Sequence, residues 1–210
     1  MPPFARKRAV AVFWAILSIN AVIQYAMLRR NGWGGLAGTD NLVAFWDLTM
    51  AVAIGTSLIF TAGRSESRAF GTLGVLYVII GIEDRIAVHG MVGEALADIF
   101  AFDRWIPGIG NYGADNIGEF VAMAIFAVVA FVLIWYGQRP ADARLRTARM
   151  IFTGLLLALF FFAVVIDLVT AAEQSLAILL IEELGERSVL SLSVIYALSL
   201  MTITDWVPDR

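Results

Sequence analysis

The chain has 210 residues, 60% of them hydrophobic and only 16% charged, with a mean hydropathy of +0.81. That balance leaves too little polar surface to wrap a soluble core, and apolar runs of about twenty residues, enough to cross a ~30 Å hydrocarbon layer, recur along the chain. The absence of cysteine excludes disulfides, thiolate metal sites and cysteine nucleophiles, whereas the net charge of −3 excludes nothing by itself.

Six spans are predicted in chain order, at roughly 9–28, 41–62, 69–88, 117–137, 150–170 and 186–206, each an apolar run bounded by charge or turn residues. The first follows Arg6-Lys7-Arg8, a flank like that of a signal peptide. Its apolar stretch is as long as a span and no small-x-small cleavage site follows, so it is read as uncleaved. After the third span comes the longest connection, 89–116. Within it "HGMVGEALADIFAFDRW" carries Met91, Leu96, Ile99, Phe100 and Trp105 at positions that suit an interfacial helix or lid. "GIGNYG", residues 108–113, matches GxGxxG but follows Pro107 with no strand before it, so its glycines are read as a turn. "DNIGE" then reads as a helix start, with Asn116 as cap and Glu119 three residues on. The stretch 171–185 is either a second interfacial segment or an extension of the sixth span.

Orientation follows from the loops. "GRSESR" (63–68) and "GQRPADARLRTAR" (137–149) are rich in arginine, as is the N-terminal flank, and short cytoplasmic loops carry that excess. On this topology the inner side holds ten basic residues and four acids (+6), the outer side five basic residues and fourteen acids (−9), which sums to −3. The predicted fold is therefore an all-α polytopic membrane helical bundle of about six transmembrane helices. It forms a single domain over 1–210, lies in the cell's inner membrane and has both termini cytoplasmic. Trp14, Trp135, Tyr136 and Trp206 fall near the inner boundary, and Tyr25, Trp33 and Trp46 near the outer one, as aromatic belts would.

The acids carry the chemistry. At a rise of ~1.5 Å per residue, Asp47, Glu83, Asp84 and Asp167 lie roughly 22–27 Å from the inner boundary, just below the outer surface. Glu182 and Glu183 reach roughly the outer boundary. A carboxylate at such depth normally faces the bundle interior, so a shared pocket open to the outer leaflet is expected. Helical phase places Asp47 in line with Ala51, Ile54, Leu58 and Thr61, beside a close-contact pair Ala51-x-x-x-Gly55. The only histidine, His89, closes "GIEDRIAVHG" (81–90), and its separations from Glu83 and Asp84 are not same-face helical spacings.

Several carboxylates with one imidazole suit a divalent metal ion or a proton, and Asp47, Glu83, Asp84, His89, Asp167, Glu182 and Glu183 are the candidate ligands. Ion pairing at the membrane edge accounts for the same residues, and Glu183 with Arg187 forms an i,i+4 pair worth a few tenths of a kcal/mol on a helix surface. A retinal pigment lacks its late-span lysine, bis-His haem a second histidine, and an NAD site its βαβ unit. The basic residues form short loops without a patterned groove, which argues against nucleic acid. The leading expectation is a transporter-like or cation-binding membrane protein. A non-catalytic subunit of a larger complex, docking through apolar helix faces such as Phe160-Phe161-Phe162, and a metal-assisted membrane lipid hydrolase are the alternatives. The inner halves of spans two to six carry almost no ionisable residue, which weighs against ordinary alternating access. Membrane lipid is the expected surrounding partner.

Overall fold

The structure, a computed structural model, describes residues 11, 14–16, 18–23, 25, 26, 29, 41–105, 110–136, 143–166, 168–169 and 176–201. Helix makes up 97% of it and no strand occurs among the described residues. In chain order the helices are α1 (Trp14–Ile23), α2 (Asn41–Ser65), α3 (Arg68–Ile86), α4 (Val88–Phe100), α5 (Phe102–Trp105), α6 (Gly110–Tyr136), α7 (Ala143–Phe160) and α8 (Leu176–Met201). A π-helical turn, Phe161–Ile166, continues α7.

Three stretches are long and apolar enough to cross a membrane: Phe45–Ser65, Gly113–Tyr136 and Ala143–Ile166. The other two long helices carry charge within their length, Glu83, Asp84 and Arg85 on α3 and Glu182, Glu183, Glu186 and Arg187 on α8. Hydroxyls inside α2 are satisfied locally. Thr49, Ser57, Thr61 and Ser65 each donate to the carbonyl four residues earlier at 2.7–2.8 Å, the usual solution where water is scarce.

α2 and α3 form an antiparallel hairpin through Glu66, whose φ of 52° lies in the left-handed region, and Ser67. Small residues let the two backbones approach. A Cβ at Gly55 would stand 2.6 Å from the Gly74 carbonyl oxygen, and one at Gly81 2.6 Å from the Ala51 Cβ. α8 packs along α2, and α7 with its π turn packs along α8. The core between α2, α3, α7 and α8 is built on Ile54, Leu58, Phe70, Leu73, Tyr77 and Phe152, all fully buried. Tyr77 sets its ring edge-on to Phe152 at 6.3 Å. Its hydroxyl meets Ser193 Oγ at 3.2 Å, and because Ser193 already donates to the Val189 carbonyl at 2.8 Å, Tyr77 is the donor.

α4 lies against α6 through Gly93, Ala97 and Gly118, which are buried, while Met91, Ile99, Phe100 and Trp105 face outward. The expected helix in the long connection is therefore present. The turn and capping box expected before span four are not, because α6 is already helical at Gly110, six residues before Asn116. Glycine costs about 1 kcal/mol in a helix interior. Packing offsets it here, since Ala114 is buried and Gly118 sits against the Gly93 backbone, a contact that no larger residue would allow. Residues 176–185 form one continuous helix with the segment predicted as the sixth span, and 171–175 lie outside the described residues.

Candidate functional site

Polar groups collect at the end of the α2–α3 hairpin away from its Glu66 turn. Asp47 lies nineteen residues before that turn and Glu83 seventeen after it, so the hairpin sets both at a similar height. Ala51, Ile54, Leu58 and Thr61 are buried at 2% exposure or less, so the predicted face of α2 is the one that packs, and Asp47 continues it. Opposite Asp47, α8 supplies Arg187, only 6% exposed, and Glu183, 8% exposed. Arg187 Nη2 pairs with the Glu183 carboxylate one turn earlier, and Arg187 Nε lies 3.7 Å from Asp47 Oδ2. Two carboxylates from two helices thus converge on one buried guanidinium.

A hydrogen-bonded chain extends this cluster. Ser191 donates to the Arg187 carbonyl at 2.6 Å, Asn20 Nδ2 donates to Ser191 Oγ at 2.8 Å, and the Trp46 indole donates to Asn20 Oδ1. Asn20 is 6% exposed, so the α1 segment enters the network with an amide that is fully engaged on both ends. Trp46, expected near the outer boundary, is half-buried with its N–H turned to Asn20.

The second grouping is built by a backbone break. α3 ends at Ala87, whose φ of 54° puts a non-glycine residue in the left-handed region, and α4 starts at the next residue. Such a conformation costs roughly 1–2 kcal/mol for an L-residue. It brings His89 back over Glu83 although the two are six residues apart. Glu83 Oε1 accepts the His89 backbone N–H at 2.8 Å and meets His89 Nδ1 at 2.5 Å. The carboxylate therefore caps the first turn of α4, where backbone N–H groups lack helical partners and negative charge is favoured. His89 also lines a small cavity of about 20 Å³ with Asn116, Glu119 and Phe120 of α6 and Val164 of the π turn.

The candidate residues therefore stand in two groupings: Asp47 with Glu183 on Arg187, and Glu83 with His89. Glu182 is half-buried beside Glu183. Asp84 falls within α3 with its side chain outside the described residues, and Asp167 lies outside them altogether. Among the described residues no set of three His, Asp or Glu side chains is arranged to hold a metal ion. Sequence reasoning passed over Asn20 as a member of the network, whereas the Glu183–Arg187 pair it anticipated is present and lies buried. A lone amide inside an otherwise apolar run, "ILSINAVI", was the available signal. Phe162, expected on an exposed apolar face, is half-buried with its ring against Gly185, where a Cβ would collide with it. No protein-family model, curated protein or solved structure matches this chain.

Proposed function

We propose that this is a multi-pass membrane protein, crossing six times with both termini cytoplasmic, that holds a proton in a carboxylate site near the outer ends of α2 and α8. The observation that carries the reading is the convergence of Asp47 and Glu183 on the buried guanidinium of Arg187. Two carboxylates held together repel each other, and a proton taken up by one relieves the repulsion without adding a bulky ligand. A divalent cation would relieve it too, but it would have to sit beside a guanidinium that repels it. That is why the proton is preferred over the metal. Glu83 and His89, 2.5 Å apart, form a second place where a proton is shared. The lipid-hydrolase reading gains no support from a ligand set among the described residues.

Unfolding of the purified protein tests this at about pH 5 to 8, in EDTA and with Mg²⁺, Ca²⁺, Mn²⁺ or Zn²⁺. A folded state that binds one proton more than the unfolded state loses about 1.4 kcal/mol of stability per pH unit as pH rises. That slope is expected in the native chain, and flattened in Asp47→Asn and Glu183→Gln. Stability that responds to a divalent cation, with the response lost in Asp167→Asn, would replace the proton with a metal. The topology has its own check, since the charge division keeps loop 137–149 inside: a cysteine at Ala141 should resist membrane-impermeant labelling of intact cells.

A further inference from the structure

We propose that the groove between α6 and α7 binds an anionic phospholipid, one acyl chain in an apolar cleft and the phosphate at Arg146 and Arg149. The cleft lies between α3, α6 and α7, with walls from Leu76 and Ile80, from Met123 to Ile134, and from Thr153 to Ala163. Its lining is apolar except for Thr153, whose hydroxyl is already committed to the Arg149 carbonyl at 2.9 Å. Along α6 it runs from Met123 to Ile134, about 16 Å at the helical rise, close to the ~15 Å that one leaflet contributes to the hydrocarbon core.

At the end where α6 finishes and α7 starts, the cleft opens into a wider mouth of about 510 Å³, and the two share Phe131, Ile134, Thr153 and Leu157. This mouth is lined by Trp135, Arg146 and Arg149. Arg149 is held in place by donating from Nη2 to the Ile134 carbonyl at 2.7 Å, a carbonyl near the end of α6 that α6 leaves available. Arg146, one turn earlier, is exposed, and Trp135 stands 60% exposed beside it. The floor is open because residue 154 is glycine. A Cβ there would have nothing within 4 Å, although Gly154 sits within an apolar helix where alanine or leucine would serve the helix better.

An apolar trough one leaflet long that ends in two guanidinium groups and an interfacial indole matches the three parts of a phospholipid: chain, phosphate and glycerol region. A docked helix from another protein would fill the trough but would not call for paired arginines at its mouth. A free phosphate would use the arginines and leave the trough empty. The charge complementarity at the mouth selects the anionic lipid.

Binding to the full-length protein in neutral detergent tests the assignment, with dioleoyl phosphatidylglycerol, dioleoyl phosphatidylcholine and inorganic phosphate as probes. The phosphatidylglycerol is expected to bind at least about tenfold more tightly than the phosphatidylcholine, and inorganic phosphate should not displace it. Arg146→Gln should weaken the anionic lipid about fivefold, the value of one arginine near a lipid phosphate, with Arg146→Lys recovering most of it. Gly154→Leu places an apolar side chain in the open space of the mouth, across the path into the trough, and should weaken both lipids about tenfold while the lipid-free protein melts no lower than the native chain. Equal affinity for the two lipids, unchanged lipid binding in Gly154→Leu, or displacement by inorganic phosphate would each overturn the proposal.

Discussion

Replacing Arg187 by leucine removes the cation that Asp47 and Glu183 share, and the structure sets the scale of the loss. Arg187 Nε and Asp47 Oδ2 are 3.7 Å apart. At an effective dielectric constant of about 20, that separation corresponds to a gross attraction of about 4–5 kcal/mol. The Glu183 contact is closer still. Desolvation of the three ions offsets most of that gain, so the intact cluster is worth little more than well-packed leucines of similar volume. Removing the guanidinium alone is different, because two carboxylates then stay in a site that was 8% exposed at Glu183. The expected cost of Arg187→Leu is about 3–5 kcal/mol. Asp47→Asn should cost less, about 1–2 kcal/mol, since 3.7 Å is outside hydrogen-bonding range and the Asp47 side chain keeps 18% of its surface. The triple variant Arg187→Leu, Asp47→Leu, Glu183→Leu should regain most of the stability lost by the single change. Reversible unfolding in mixed micelles by added sodium dodecyl sulfate supplies the measurement, with an Asp47–Arg187 double-mutant cycle expected to give a coupling no larger than about 1.7 kcal/mol. If Arg187→Leu stays within about 1 kcal/mol of the native chain, or if the triple variant is as unstable as the single one, the ions are not a buried cluster joining α2 to α8.

The α4–α6 contact makes a second test. Gly93→Ala would place a Cβ 2.6 Å from the Glu119 backbone nitrogen, which cannot rotate away, so about 1–3 kcal/mol should be lost and α4 should become accessible to protease. Gly154→Ala, with open space around its Cβ, should instead gain about 0.5–1 kcal/mol in the same unfolding assay. Asn20→Ala leaves the Trp46 indole N–H and Ser191 without their amide partner and should cost about 1–2 kcal/mol, with a shift in tryptophan emission that Trp46→Phe abolishes.

Much of the architecture is legible in the sequence because hydrophobic length and helical phase are local properties. Ala51, Ile54, Leu58 and Thr61 fall on one face at 3–4 residue spacing, and that face is the buried one. Ala51 and Gly55 mark the close approach of α3 for the same reason, since small side chains at one-turn spacing leave a flat strip. The start of α6 was misplaced because glycines in "GIGNYG" favour a turn in isolation. What keeps residues 110–113 helical is the seating of Ala114 and Gly118, a tertiary effect that propensity does not contain.

The site divides along the same line. Depth brings Asp47 and Glu183 only to the same end of the bundle, and phase on α2 turns Asp47 inward; neither singles the two out as a pair apart from Glu83. That they meet on Arg187 depends on which face of α8 turns inward, and because α8 opens with the all-apolar run Leu176–Ile181 before Glu182, Glu183, Glu186 and Arg187, phase alone leaves this open. An i,i+4 pair such as Glu183 and Arg187 is worth a few tenths of a kcal/mol on a solvated helix. Carried into the interface with α2, the same two residues become the charged centre of a network that reaches α1 through Ser191 and Asn20. Glu83 and His89 resist any periodic reading, because the φ of 54° at Ala87 lies between them and neither a glycine nor an asparagine announces it. The strain of that residue is compensated by the bond it makes possible, since Ala87 donates its own N–H to the Glu83 carbonyl at 2.7 Å while the Glu83 carboxylate takes the N–H of His89. One glutamate thus ends α3 with its backbone and starts α4 with its side chain.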